Sequence, residues 1–434
     1  MKDVLKIGVA GLGTVGSSLI KLIRSNVDRL RISCGSLIVI SAVSARNRNI
    51  DRGVDIVNIE WFDDPLDMAE KAEIDVFVEL IGGDDYFSYD SVRAALSRGI
   101  HVVTANKALL ATYGTDLALI AKNNGAILNF EASVAGGIPV IKVLKDCLAC
   151  NEVTRIYGIL NGTCNYILSH MEKTGLNFID CLHEAKVCGY AEDNSKFDIN
   201  GADSAHKLSI LSAIAFGLNT SIDGIDYEGI SDITIDDIDA ASNFGYRIKL
   251  LASVQRIGSS IIRRVYPVML KSDTDIALVD GITNAVVIET DILGKLVMIG
   301  SGAGGNPTAS AVLSDICDIA KFNLRSSSSL FLERSMSSSD NLQLSNMHEQ
   351  EKEYFIRLKI LNADGVLDKV IARITEKNVS WRILTCPHDD RDPQQCSVFI
   401  ITHPMLELFV RNAVKHVSES SDVICSKVIC IENF

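Results

Sequence analysis

A chain of 434 residues with 47% hydrophobic content has room for two or three domains with real cores. Its 42 Lys and Arg against 55 Asp and Glu give a formal net charge of -13, which argues against a polyanionic partner such as nucleic acid. No run reaches the roughly 18 uninterrupted apolar residues of a membrane span, and the N-terminus, MKDVLKIGVAG, enters a strand too soon for a secretory leader or transit peptide. The expected location is the cytoplasm, where the eleven cysteines, scattered through apolar surroundings, read as free thiols. Cys147 and Cys150 have C-x-x-C spacing, but with no second pair and no neighbouring His they are a weak signal for zinc or redox chemistry.

From Val4 to about Ile127 short β-branched runs (LKIGVAG, LIVISAVSA, IDVFVEL, HVVTAN, AILNF) alternate with longer amphipathic ones (VGSSLIKLIRSNV, SVRAALSRG, GTDLALIAKNNG). That alternation predicts βαβ units and a parallel sheet. A Gly-rich turn, ASVAGGIPVI, leads into mixed strands and helices from about residue 140 to 305. SGAGGNPTASAVLSDICDIAKFN follows, and its long apolar helix, near 306–323, is expected to pack back on the first domain. Residues 325–352 turn Ser-rich and polar, too poor in apolar area to offset their ordering entropy, and read as a linker or mobile loop. Residues 353–434 then read strand, turn, helix, strand, strand, helix, strand: a small βαββαβ domain.

IGVAGLGTVGSSL places Gly11, Gly13 and Gly16, with Thr14 and Val15 between them, directly after a strand and at a helix start. The first glycine allows a tight turn, the second lets backbone approach a pyrophosphate, and the third lets helix and strand pack closely. A dinucleotide site is the expectation, and with it a Rossmann domain. The next strand ends not in Asp or Glu but in SARNRN, where Arg46, helped by Arg48, would attract a 2′-phosphate that a carboxylate would repel. NADP is favoured over NAD, against the plainer reading of two loop arginines in water. In NGADSAHKLSILSAIAFG, Asp203 and Lys207 stand four apart at the start of an otherwise apolar helix. They either form an ordinary solvated pair or point together into a cavity.

The run of motifs resembles the homoserine dehydrogenase family: GLGTVG (11–16), VELIGG (78–83), TANKALLA (104–111), EASVAGGIPVIK (131–142), ILNGTCNYIL (159–168), GYAEDNSKFDINGADSAHKLSIL (189–211) and GSGAGGNPTASAVLSD (300–315). The resemblance covers about residues 5–320 and implies NAD(P)-dependent interconversion of L-aspartate 4-semialdehyde and L-homoserine, in threonine, methionine and isoleucine biosynthesis. It implies an α/β organisation: a Rossmann domain over 1–135, an α+β substrate-binding and oligomerisation domain over 136–305, and an ACT-like domain over 353–434. Lys207 matches the family's proton-transfer lysine. An ordinary lysine, pKa about 10.4, is protonated at neutral pH and suits donation to a nascent alkoxide. To serve as a base its pKa must fall, through burial or a neighbouring cation such as Lys107 of the TANK motif, which the family sets near nicotinamide and substrate. Glu192 and Asp203 match the acids that bind homoserine, and Asp203 can also orient Lys207. Gly189 and Gly302 match glycines close to the cofactor.

The family also binds a monovalent cation, commonly sodium, through carbonyls at positions matching Val134, Gly136 and Ile138, with Glu131 nearby; all-oxygen ligation suits a hard ion. ACT domains often carry Asp-x-x-Gly or Asp-x-Pro-Gly in the first turn, where this chain has Asn362-Ala363-Asp364-Gly365. Threonine feedback and a purely oligomer-stabilising role therefore both stand for the C-terminal block, and a homodimer or homotetramer is implied by the family. With the Rossmann strand starting at Val4, the expectation is a monofunctional enzyme with no aspartate kinase upstream. Two rivals remain: a semialdehyde dehydrogenase with Cys164 as nucleophile and His170 as base, six residues apart and so on different faces of one helix, and a non-catalytic nucleotide or amino-acid sensor.

Overall fold

The computed structural model describes residues 3–83, 86–192, 194–322, 343–344, 350–386 and 394–434. Most of the Ser-rich segment expected as a linker lies outside these residues.

The N-terminal unit alternates β1 (Val4–Ala10), α1 (Thr14–Ser25), α2 (Val27–Cys34), β2 (Leu37–Ser44), β3 (Glu60–Phe62), α3 (Pro65–Lys71), β4 (Val76–Glu79), α4 (Tyr86–Ser97), β5 (His101–Thr104), α5 (Lys107–Asn123) and β6 (Leu128–Asn129). All six strands pair in parallel in the order β3-β2-β1-β4-β5-β6. This is the doubly wound arrangement whose ligands sit beyond the carboxyl ends of the strands, where the order reverses between β1 and β4. Val76, Phe77, Val78 and Glu79 are buried throughout β4, as expected of a strand covered on both faces.

The second unit contains α6 (Val140–Lys142), which runs into a wider turn over Val143–Cys147, then β7 (Val153–Ile159), α7 (Gly162–Thr174), α8 (Phe178–Val187), α9 (Lys196–Ile199) and α10 (Ala202–Phe216). It continues with β8 (Asp226–Tyr227), α11 (Ile235–Asn243), β9 (Tyr246–Ile257), β10 (Ser260–Lys271), β11 (Thr283–Thr290) and β12 (Gly294–Ser301). Helix α10 is buried on nearly every side, which its Ala, Leu and Ile content permits and which takes Asp203 and Lys207 inside with it. Helix α12 (Gly305–Phe322) returns to the first unit and packs on α1: a Cβ at Gly305 would come within 2.7 Å of Ser18 Oγ.

The C-terminal residues form β13 (Gln343–Leu344), β14 (Glu351–Leu361), α13 (Val366–Glu376), β15 (Trp381–Thr385), β16 (Gln395–Thr402), β17 (Met405–Leu406), α14 (Glu407–Ser418) and β18 (Val423–Glu432). Their order β18-β14-β16-β15, with every neighbouring pair antiparallel, is a ferredoxin-like βαββαβ arrangement. The block is not free-standing. β18 pairs in parallel with β10 through Val268–Cys430, Met269–Ile431 and Leu270–Glu432, so one 12-stranded sheet runs through both regions. Buried ion pairs cross the same seam: Arg264 meets Glu407 through two bonds of 2.6 Å, and Arg357 Nε meets Asp237 at 2.7 Å.

Candidate active site between the two sheets

The glycine-rich turn has the shape that three different glycine roles demand. Gly11 has φ 100, and a Cβ there would lie 2.4 Å from Leu80 O, so neither conformation nor space admits a side chain. At Gly16 a Cβ would fall 2.0 Å from Gly11 O. Gly13 differs: nothing lies within 4 Å of its Cβ position, it is exposed, and it caps α1 without any side-chain hydrogen bond. Free amides at a helix N-terminus beside open space suit a pyrophosphate. Thr14 is exposed and Val15 half-buried on the same turn. Arg46 is exposed just past β2, with Arg48 and Arg52 each 5.8 Å from the Trp61 ring centroid; Arg52 was not singled out from sequence.

Across the cleft, Lys207 is 9% exposed. Its Nζ donates to Leu160 O at 2.6 Å and to Asp203 Oδ2 at 2.7 Å, so the pair is not a solvated surface bridge. Asp203 also faces Lys107 Nζ at 3.2 Å and accepts from Asn161 Nδ2 at 2.8 Å. One buried carboxylate therefore joins two ammonium groups, one from each sheet's unit. Burial alone would raise the Asp203 carboxyl, but Lys207, Lys107 and Asn161 together hold it well below the usual carboxylate range. Lys107 is raised, first by Asp203, then with smaller contributions from Asp198 and Glu192.

Lys107 is the first residue of α5, the positive end of the helix, where a cation is disfavoured. Its counter-ion is Asp203, on another unit. Glu192 is exposed and reaches the lysine only through its field, and Gly189, at φ 74, is exposed with open space at its Cβ position. Sequence reasoning missed Asn161, the N-cap of α7, whose amide also donates to Asp198 Oδ1 at 2.8 Å. It missed Asp198 itself, a half-buried carboxyl raised by burial and then by Asp203. Their signal was an Asn opening a helix and an acid just ahead of the Gly201 break.

The turn carrying Glu131, Val134, Gly136 and Ile138 is buried and tightly curled, with Ala135 at φ 54 and Gly136 at φ 46. Both Glu131 carboxyl oxygens accept from main-chain amides, of Ile141 (2.9 Å) and Lys142 (2.8 Å), while burial and then the neighbouring Asp315 push the carboxyl up to about 7. Gly302 packs against this turn: a Cβ on Gly136 would lie 2.5 Å from Gly302 O, and one on Gly302 would lie 2.0 Å from the Asn284 side chain.

The cysteine rival fails on geometry. Cys164 is wholly buried, its thiol is pushed well up by burial, and it donates to Asp198 O at 3.3 Å. His170 instead pairs with Glu184 at 2.5 Å and stacks on Tyr166. All eleven cysteines are free thiols, with Cys147 and Cys150 exposed.

Residues 11–131 match the family model described as homoserine dehydrogenase, NAD binding domain, and residues 139–317 match that described as homoserine dehydrogenase. The chain belongs to the homoserine dehydrogenase family. It is 38% identical to homoserine dehydrogenase of Helicobacter pylori over 434 residues, covering 100% of both chains. It is 37% identical to that of Neisseria gonorrhoeae over 417 residues, 95% of each. The crystal structure of a homoserine dehydrogenase from Thiobacillus denitrificans superposes with a TM-score of 0.90 at 35% identity, covering 99% of this chain and 98% of that one. A hyperthermophilic archaeal homoserine dehydrogenase in complex with NADPH matches with a TM-score of 0.63 at 28% identity over 75% of this chain and 99% of that one. As a homoserine dehydrogenase the chain is an NAD(P)-dependent oxidoreductase acting on a small-molecule substrate, interconverting L-aspartate 4-semialdehyde and L-homoserine. No helix among the described residues is long and apolar enough to cross a membrane.

Proposed function

We propose that Lys207 exchanges the proton of the substrate hydroxyl while the bound nicotinamide supplies or takes the hydride at its C4. The observation that carries this reading is the shared carboxylate: Asp203 holds Lys207 at 2.7 Å and Lys107 at 3.2 Å. An ammonium has three N–H donors. Leu160 O and Asp203 take two of those on Lys207, leaving one for an alcohol oxygen arriving between the sheets. In the reductive direction that proton goes to the nascent alkoxide, and in the oxidative direction the neutral amine takes it back.

Asp203 already accepts from three donors, which suits it to orienting the two lysines. Asp198, half-buried and bonded through one oxygen to Asn161, and the exposed Glu192 are better disposed to take the substrate ammonium. Lys107, partly exposed on the cleft, faces the substrate oxygen or carboxylate. Gly189 leaves room for the substrate's approach.

Arg46 and its neighbours support NADP over NAD. The curled 131–138 turn supports a monovalent cation, expected to be sodium, held by the carbonyls of Val134, Gly136 and Ile138. At the seam between β10 and the C-terminal block lies a cavity of about 930 Å³ whose lining includes Arg155, Lys352, Arg382, Glu353 and Glu432. These charges are paired with one another, Arg155 and Lys352 with Glu432 and Arg382 with Glu353, so a zwitterionic effector such as threonine, in keeping with an ACT-like role for residues 353–434, would bind there by exchanging those pairs. Exposed Leu293 and Ile299 at the β12 edge support a homo-oligomer. Steady-state turnover of homoserine against NADP and NAD, with and without threonine, tests these readings together. Equal efficiency with NAD defeats the Arg46 argument, and indifference to threonine defeats the effector.

A further inference from the structure

Glu79 closes β4 and is wholly buried (0% exposed), yet no step above uses it. Its Oε2 accepts from Thr104 Oγ1 at 2.5 Å, and its Oε1 accepts from Ile81 N at 2.9 Å, Gly82 N at 3.1 Å and, more weakly, Asn106 Nδ2 at 3.4 Å. The Thr104 hydroxyl also accepts the Asn106 backbone amide at 2.9 Å, so the chain Asn106–Thr104–Glu79 is continuous. Burial pushes the Glu79 carboxyl up, and the bonds from Thr104, Gly82, Ile81 and Asn106 pull the other way. No Lys, Arg or His forms an ion pair with it among the described residues, so its place is set by these hydrogen bonds.

Those bonds tie together two segments that meet the cleft. The loop after β4 lies against the glycine-rich turn, with Leu80 O and Ile81 N 2.4 and 2.9 Å from where a Gly11 Cβ would stand. The turn after β5 carries Asn106, which caps α5 by accepting from Leu109 N at 3.0 Å and grips Gly83 O at 2.5 Å. The next residue is Lys107. Gly82 and Gly83 have φ 80 and 82 and open space around them, so the loop leans on these contacts, with Leu80 N bonded to Ala10 O at 2.7 Å and Ser88 Oγ to Gly82 O at 3.3 Å beside them.

We propose that Glu79 is a positioning residue of the hydride-transfer site, whose buried carboxyl group locks the 80–83 loop against the dinucleotide turn and sets the start of α5, and through it Lys107. This rests on the reading above that Lys107 faces the substrate. Glu79→Gln keeps the shape but replaces one acceptor oxygen by an NH2, which would face donors at the Ile81 and Gly82 amides and would require the Thr104 hydroxyl to turn its proton away if placed there. In the full-length protein the expected results are a kcat for homoserine lower by about 10- to 100-fold, as for a misplacement of roughly 1 Å, and faster hydrogen exchange at Ile81 and Gly82. In a Lys107→Met background the same change should cost little more, because both losses run through one group. Thr104→Val, which removes one donor and leaves Glu79 in place, should give the same non-additive loss should Glu79→Gln fail to fold. Unchanged exchange at Ile81 and Gly82, or a kcat loss that multiplies in full with Lys107→Met, would overturn the proposal. A parent protein that did not turn over homoserine would sink the reading of Lys107, while the exchange measurement would still judge the loop lock.

Discussion

Lys207→Met removes the ammonium and keeps the unbranched stem that packs inside α10. The structural cost is bounded by what remains. Asp203 keeps Lys107 at 3.2 Å and Asn161 at 2.8 Å, so the carboxylate is not left alone, and only Leu160 O loses its donor. That corresponds to about 1–3 kcal/mol for an unsatisfied buried group, below the roughly 3–5 kcal/mol of a buried charge stripped of its partner. The catalytic cost should be larger. Removing a general acid–base costs about 10²–10⁴ in rate, or roughly 2.7–5.4 kcal/mol of barrier. The assay is steady-state homoserine oxidation followed by reduced-nicotinamide absorbance, beside a melting curve and a dinucleotide titration. Dinucleotide affinity should hold, since Lys207 bonds only to Leu160 and Asp203, away from the glycine turn. A kcat within about tenfold of the parent would refute the proton-transfer role, as would a loss of affinity as large as the loss of rate.

The two inner glycines of the turn should fail differently. Gly16→Ala, with its Cβ 2.0 Å from Gly11 O, should lower the melting temperature as well as dinucleotide binding, whereas Gly13→Ala, with open space, should melt like the parent and lose binding alone. Arg46→Ala should lower kcat/KM for NADP by about tenfold while leaving NAD nearly unchanged, the loss of one charge-assisted contact at an exposed site. Arg264→Leu takes two bonds from the buried Glu407 but leaves it Arg411 at 2.6 Å, and should destabilise by about 1–3 kcal/mol in denaturant titration. Burial opposes its ionisation, but Arg264 and Arg411 bring the Glu407 carboxyl down to about 2. A folded-state value below the unfolded one stabilises above about pH 4.5 and loses that contribution as pH falls towards 2. The parent's melting temperature should therefore drop through that window more steeply than that of Arg264→Leu.

The glycine turn was legible because each glycine answers a steric demand that other residues cannot meet. The Asp203–Lys207 pair was legible as a spacing, and only burial decided between a solvated bridge and a shared cavity. What decides the site chemistry was not legible: Lys207 finds Leu160 O 47 residues away, and Asn161 reaches Asp203 from the start of another helix. Such partners depend on how strand ends meet, which local pattern does not carry. Lys107 did leave a trace, as a cation at the wrong end of a helix. The C-terminal strands were readable singly, but the pairing of β18 with β10 joins Val268 to Cys430 and obeys no local signal, since edge choice follows which apolar faces must be covered.

The carboxylate of Asp203 sits where two units meet, and the chain passes between them at two places that touch. Gly137 N donates to Ser301 O at 2.9 Å, and a Cβ on Gly136 would meet Gly302 O at 2.5 Å. The units are tied again where Thr115 N donates to Thr220 Oγ1 and Thr220 N to Thr115 Oγ1, each at 3.0 Å, between α5 and the loop after α10. The bond to Lys207 lies within one helix, α10, and does not depend on how the units meet; the contact with Lys107 spans both units, is the longer at 3.2 Å, and is partly open to solvent. A change in how the units meet therefore acts on the Lys107 contact and leaves the one within α10 as it is. Bulk added at Gly136 would push on Gly302 and so shift the joint across which Lys107 and Asp203 meet.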